Sequence, residues 1–212
     1  MCQKQYTFTY AVKELLLYTL TCVATFCVLL LDVIWLSPQL SEYSITEIGQ
    51  ELILLIIAVT FFKLAWRYSE QRNTHLLIAG LFTCMLIREL DALFDHIIHG
   101  FWFYPAIIIT LVIITITFIR CQKQTLFELS QYASQRQAQF MATGLICALV
   151  FSRLFGMGIL WEHVLGENYV RVVKNIAEEG TEFFGYSLCF ISTLLYRQTF
   201  LEMHSKNVVN KQ

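Results

Sequence analysis

The 212 residues include 57% hydrophobic and 15% charged side chains, with 2 Pro, 9 Gly and a net charge of −1; mean hydropathy is +0.57. A soluble globular chain carries roughly 45–50% apolar and about 25% charged residues, so this chain has too few charges to coat a water-facing surface. Scarce Pro and Gly exclude a low-complexity chain, and the near-neutral balance leaves no basic face for nucleic acid. These numbers predict an all-α, polytopic membrane helix bundle forming one integral domain over residues 1–212.

A helix needs about 20 mainly apolar residues to cross a hydrocarbon core of roughly 30 Å. Six stretches meet that ruler: Leu15–Leu36, Glu47–Trp66, Leu76–Asp95, Phe101–Ile119, Phe140–Trp161 and Val172–Tyr196. The first is longer than the apolar region of a signal peptide, roughly 7–15 residues, and is expected to be retained. Eleven of the 15 Lys and Arg fall at one side of these spans: Lys4, Lys13, Lys63, Arg67, Arg72, Arg120, Lys123, Arg136, Arg197, Lys206 and Lys211. The opposite loops, Ser37–Thr46, His96–Gly100 and Glu162–Val170, contain none, and Arg171 and Lys174 stand at the mouth of the sixth span. The positive-inside rule then predicts both termini in the cytoplasm and residence in a bacterial inner (plasma) membrane. Trp35, Trp102, Tyr104 and Trp161 on the outer side, and Trp66 and Tyr68 on the inner, read as interfacial belts.

The longest inner loop, Arg120–Arg136, places Leu126, Phe127, Leu129 and Tyr132 among polar neighbours, the pattern of a short interfacial helix. Of the seven cysteines, Cys2 and Cys121 are expected in the cytoplasm. Cys22, Cys27, Cys84, Cys147 and Cys189 fall within spans. No C-x-x-C occurs, so they read as small packing residues rather than a disulfide framework.

Ionisable groups inside a span are costly, roughly 2.5–3.5 kcal/mol at the centre on insertion scales, and mark functional sites by default. Here they gather in the outer halves. Asp32 closes the first span, and Glu47 and Glu51 open the second. Arg88, Glu89, Asp91, Asp95, His96 and His99 fill the end of the third. Arg153 lies in the fifth, followed by Glu162 and His163, and Lys174, Glu178, Glu179 and Glu182 start the sixth. At 100° per residue Arg88, Asp91, Asp95 and His99 share about 80° of arc. Glu178, Glu182 and Tyr186 recur one turn apart. Eight acids (Asp32, Glu51, Glu89, Asp91, Asp95, Glu178, Glu179, Glu182) face only Arg88, Arg153 and Lys174. That imbalance calls for protonated carboxylates or a bound cation.

Three functions fit the pattern. In a metal-dependent hydrolase acting on a lipid or amphiphile, His96, His99, Asp95, His163 and Glu178 would hold zinc, manganese or iron. Glu89 or Glu182 would act as base, and Arg88 would hold an oxyanion. A proton or cation transporter would use the same acids as relay stations. A non-catalytic sensor or accessory subunit would recognise a ligand or a partner's helix. The one-sidedness of the charges ranks the hydrolase ahead of the transporter, although no H-E-x-x-H or G-x-S-x-G occurs. Expected partners are membrane lipid and either a second copy or another membrane protein.

Overall fold

The computed structural model describes residues 8–36, 44–96, 98–166 and 169–209, with side chains at all of these except 8–11, 35–36, 119–121 and 206–209. Expectations for Cys2, Lys4, Lys211 and most of the loop before Ile45 fall outside these residues, as do those for the side chains of Trp35, Arg120, Cys121 and Lys206. Every regular element among the described residues is helical. In chain order they are α1 (Phe8–Leu31), α2 (Ile45–Arg67), α3 (Arg72–Glu89), α4 (Asp91–Asp95) and α5 (Phe103–Ile114). Then follow α6 (Arg120–Ala133), α7 (Arg136–Ile146), α8 (Ser152–Phe155), α9 (Gly158–Leu165) and α10 (Arg171–Val209). Wider π-type turns continue α1 over Asp32–Leu36, α5 over Thr115–Ile119 and α7 over Cys147–Phe151.

Three segments are long and apolar enough to cross a membrane: Val12–Ile34, Ile45–Arg67 and Arg136–Phe155. A fourth is added if Phe103–Phe118 and Gln122–Ala133, which meet at 101°, count as one broken span. The third and sixth expected spans fail on composition for one physical reason. α3 and α10 occupy the centre of the bundle, where neighbouring helices shield polar groups from lipid. α3 carries Arg88 and Glu89 and stops there, because the backbone turns at Leu90 before α4. α10 carries Lys174, Glu178, Glu179 and Glu182. It runs past Tyr196 to Val209, and at 1.5 Å per residue its 39 residues span roughly 58 Å.

The core forms where α2, α3 and α10 meet. Leu54, Ile57, Phe61, Phe82, Tyr186 and Tyr196 are fully buried there. α7 reaches α10 through a small-residue crossing: a Cβ on Gly144 would lie 2.6 Å from the Gly185 carbonyl oxygen and 2.7 Å from Cys189 Sγ. A Cβ on Gly185 would meet Gly144 and Ala148 equally closely, so the backbones touch. Outward-facing Leu15, Leu16, Leu20 and Phe26 of α1, with Ile108 and Leu111 of α5, leave apolar surface exposed. Such surface is far more extensive than a water-soluble monomer tolerates.

Helix-start amides find their acceptors both locally and on distant helices. Ser44 and Glu47 stand in capping-box spacing, and Ser44 Oγ accepts the Glu47 amide at 3.1 Å. Asp32, buried at the end of α1, accepts the Thr46 amide at 2.9 Å, so the first acid of the outer set is committed to the start of α2. α3 has no cap of its own. Glu128 of α6 supplies one, accepting the amides of Asn73 (2.8 Å) and Thr74 (3.2 Å). α6 therefore folds back on the bundle, with Thr125, Glu128 and Tyr132 inward and Leu126 and Phe127 outward. Tyr132 belongs to the buried face, not to the exposed apolar one expected from the sequence.

Candidate functional site

Three helices bring the outer charges together. Lys174, Glu178, Glu182 and Tyr186 descend one face of α10 at four-residue intervals, Arg153 enters from α8, and Arg88 and Glu89 end α3. Lys174 Nζ lies 3.1 Å from Glu178 Oε2, and Arg153 Nη1 lies 2.8 Å from Glu178 Oε1. Arg153 Nη2 donates to Glu182 Oε1, which also accepts from Ser152 Oγ at 3.1 Å. Arg88 Nη2 stands 3.5 Å from Glu182 and 3.4 Å from Glu89, and Tyr186 Oη donates to Glu89 at 2.7 Å. The chain of partners alternates strictly in sign, from Lys174 through Glu178, Arg153, Glu182 and Arg88 to Glu89. Gly156 makes room for it, since a Cβ there would sit 2.5 Å from the Glu178 carboxyl carbon.

The eight acids read from the sequence are therefore divided among separate local arrangements, and Asp32 keeps one buried oxygen, Oδ1, without a partner. Glu89, Glu178 and Glu182 pair with three bases, and Asp32 serves the α2 start. Glu179 Oε2 accepts from Gln50 Nε2 at 3.1 Å. Asp95 is the exposed last residue of α4, where its carboxylate accepts the Gly100 amide (2.8 Å) and meets His99 Nδ1 (2.8 Å). The Gly100 N–H, then His99, hold its carboxyl below the usual Asp value. Asp91 is exposed in the first turn of α4.

Glu51 has a different setting. With Glu47 of α2, Glu89 of α3 and His96 just past α4, it lines a cleft of about 120 Å³ floored by Ile48, Leu90 and Leu93. His96 Nδ1 is engaged by the Ala92 carbonyl oxygen at 2.7 Å.

The five expected metal ligands are not gathered. His99 is almost fully solvent-exposed beside Asp95, and His163 lies exposed on α9 with Nδ1 at the Ile159 carbonyl oxygen. Glu178 is held between Arg153 and Lys174. Among the described residues no three His, Cys, Asp or Glu side chains are placed to share one metal ion. Of the residues expected to catalyse, Glu182 is enclosed by Arg153, Arg88 and Ser152, and Glu89 is engaged by Arg88 and Tyr186.

Sequence reading overlooked a second polar group at the opposite end of α3 and α10. His75, fully buried, meets Tyr196 Oη through Nε2 at 2.7 Å, and Tyr196 Oη donates to Gln71 Oε1 at 2.7 Å. Glu128 caps α3 beside them, and Glu14 pairs with Arg136 at 3.0 Å. His75 directly precedes the third expected span and so lies outside every apolar run. The helical spacing of Thr125, Glu128 and Tyr132 was the signal that could have placed Glu128 on an inward face.

Comparison with protein families, with curated proteins and with solved structures returned no match to the chain.

Proposed function

We propose that the protein is a membrane-embedded cation-binding protein, a six-span bundle of a bacterial inner membrane with both termini cytoplasmic and its binding cleft facing outward. The observation that carries this reading is the convergence of Glu47, Glu51, Glu89 and His96 on one small cleft. These groups are too dispersed to share a bare metal ion, which favours a small hydrated or organic cation held by several longer contacts. The alternating ion-pair chain behind the cleft supports binding rather than hydrolysis, because its acids and bases already satisfy one another. The six-span topology draws on the Lys/Arg-free outer loops, and on α3 and α10 packing among the more apolar helices.

A transport role has one observation in its favour. Polar clusters occupy both ends of the α3/α10 pair, the outer around Tyr186 and the inner around Tyr196. Fully buried Leu54 and Ile57 of α2 and Phe82 of α3 lie along the helices between them, beside buried Ser187, Ser192 and Thr193 of α10, so transport would require the apolar side chains to part.

The test is calorimetric titration of purified protein with Na⁺, Ca²⁺, Zn²⁺ and a small alkylammonium, alongside elemental analysis after a chelator rinse. Saturable binding of at least one cation, weakened roughly tenfold or more by Glu51→Gln, is expected, that variant removing one charge from an ion-binding cleft. If no cation binds, or Glu51→Gln binds as well as the parent, the cleft is not a cation site.

A further inference from the structure

At the end of the molecule remote from the cleft, a second pocket of about 310 Å³ opens between the C-terminal end of α2 and the middle of α10. Its polar lining is basic: Lys63 and Arg67 from α2 and Arg197 from α10. Thr60, Lys63 and Arg67 stand at helical spacing on α2, and Leu194, Arg197 and Leu201 repeat the same intervals on α10, so two matched stripes face each other. None of the three cations has a carboxylate partner among the described residues. Arg67 lies over the Tyr68 ring at 5.8 Å. The acids nearest in sequence are engaged elsewhere, Glu70 with His204 (3.6 Å) and Glu202 with Gln198 (3.3 Å). Arg88, Arg136, Arg153 and Lys174 have carboxylate partners, and Lys13, Arg72, Lys123 and Arg171 have none among the described residues, so what distinguishes Lys63, Arg67 and Arg197 is that they line one pocket.

Three like charges around one pocket repel one another, and an anion between them removes that repulsion. Two arginines and a lysine suit phosphate oxygens, the guanidinium forks offering paired donors. The surroundings point to an amphiphile. Leu64, Leu194 and Leu201 supply apolar walls. Ile56, one turn before Thr60 on the same face of α2, and Leu194 of α10 present exposed apolar side chains beside the pocket, a track for acyl chains. Basic pockets between spanning helices on the cytoplasmic side are suited to anionic lipid head groups.

We propose that this pocket binds the head group of an anionic phospholipid, its phosphate against Lys63, Arg67 and Arg197 and its acyl chains along the α2/α10 seam. The site is separate from the outer cleft and shares with it only the bilayer setting.

The full-length protein, purified in neutral detergent, is titrated with phosphatidylglycerol or phosphatidylcholine, and retained lipid is counted by native mass spectrometry. Phosphatidylglycerol should be preferred by roughly a hundredfold, as three basic groups near an anionic head group imply. Lys63→Gln/Arg67→Gln/Arg197→Gln should abolish the preference, and Arg197→Gln alone should reduce it by roughly fivefold. Helical circular dichroism of each variant should match the parent, since all three side chains are exposed. Equal retention of the two lipids, or undiminished preference in both variants, overturns the proposal. Displacement of the lipid by inorganic phosphate at equal concentration overturns it too, in favour of a soluble anion. Cation binding at the outer cleft is read independently, so failure of one site leaves the other measurable.

Discussion

The two ends of α3 and α10 bury polar groups by different chemistry. At the outer end three acids and three bases alternate in sign, each carboxylate facing at least one cation. At the inner end an imidazole, a phenol and an amide are linked in series, one ion pair joins Glu14 to Arg136, and the buried carboxylate of Glu128 is committed to the amides that start α3. Removing charge from water is expensive unless it is paired and hydrogen-bonded, whereas a neutral polar group carries a smaller penalty. The proposed cation cleft belongs to the outer end, where Glu51 and Glu89 line one cavity. The inner core of His75 and Tyr196 is closed, and the charges of the proposed lipid pocket lie outside it on Lys63, Arg67 and Arg197.

The sharpest way to break this contrast is Arg153→Met. It strips Glu178 and Glu182 of their shared cation, leaving Glu182 only the looser contact with Arg88 at 3.5 Å; because the Arg153 side chain is itself half-exposed, the loss should be that of charge-assisted hydrogen bonds, roughly 1.5–3 kcal/mol. Chemical denaturation in detergent should show that loss, and a change under about 1 kcal/mol would mean the network is too hydrated to count as buried. Tyr196→Phe attacks the inner end. It leaves His75 Nε2 and Gln71 Oε1 without their shared hydroxyl, a penalty of about 1–3 kcal/mol. A stability equal to the parent's would show that water replaces the hydroxyl and that the inner cluster is not dry. The smallest effect belongs to Asp95→Asn at the exposed end of α4. The carboxyl of Asp95 is held below its ordinary value. Its contribution is therefore complete above the unfolded-state pKa and fades as pH falls through the lower folded-state value. Parent and variant should differ slightly at neutral pH and converge in acid; a gap that widens in acid would reverse the assignment.

How much of this was legible beforehand depends on the kind of residue. The apolar runs over Leu15–Leu36, Glu47–Trp66 and Phe140–Trp161 overlap the three segments long and apolar enough to span, because hydropathy is additive along a chain. The gathering of Asp32, Glu51, Glu89, Arg153 and Glu182 toward one end follows from helix direction alone. Pairing did not follow. A count of eight acids against three bases treats every carboxylate as belonging to one site, whereas Asp32 faces a helix start and Asp95 faces a turn. The histidines show the same limit: His96 and His99 are three residues apart, yet one lines the cleft and the other faces solvent, because the helix ends at Glu89 and the backbone turns at Leu90. His75 went unnoticed for the opposite reason, its partner Tyr196 being 121 residues away.

By itself the sequence determined that this is an all-helical chain with stretches long and apolar enough for a bilayer, because composition and periodicity act locally and need no knowledge of neighbours. It also determined that charge crowds the ends of the helices rather than their middles. Only the tertiary structure decided which charge meets which, that α6 folds back to cap α3, and that Gly144 and Gly185 bring α7 against α10. Those outcomes depend on contacts between residues far apart in the chain. An ion pair, a cap and a backbone crossing are fixed by distances of a few ångströms, and no local pattern encodes such distances.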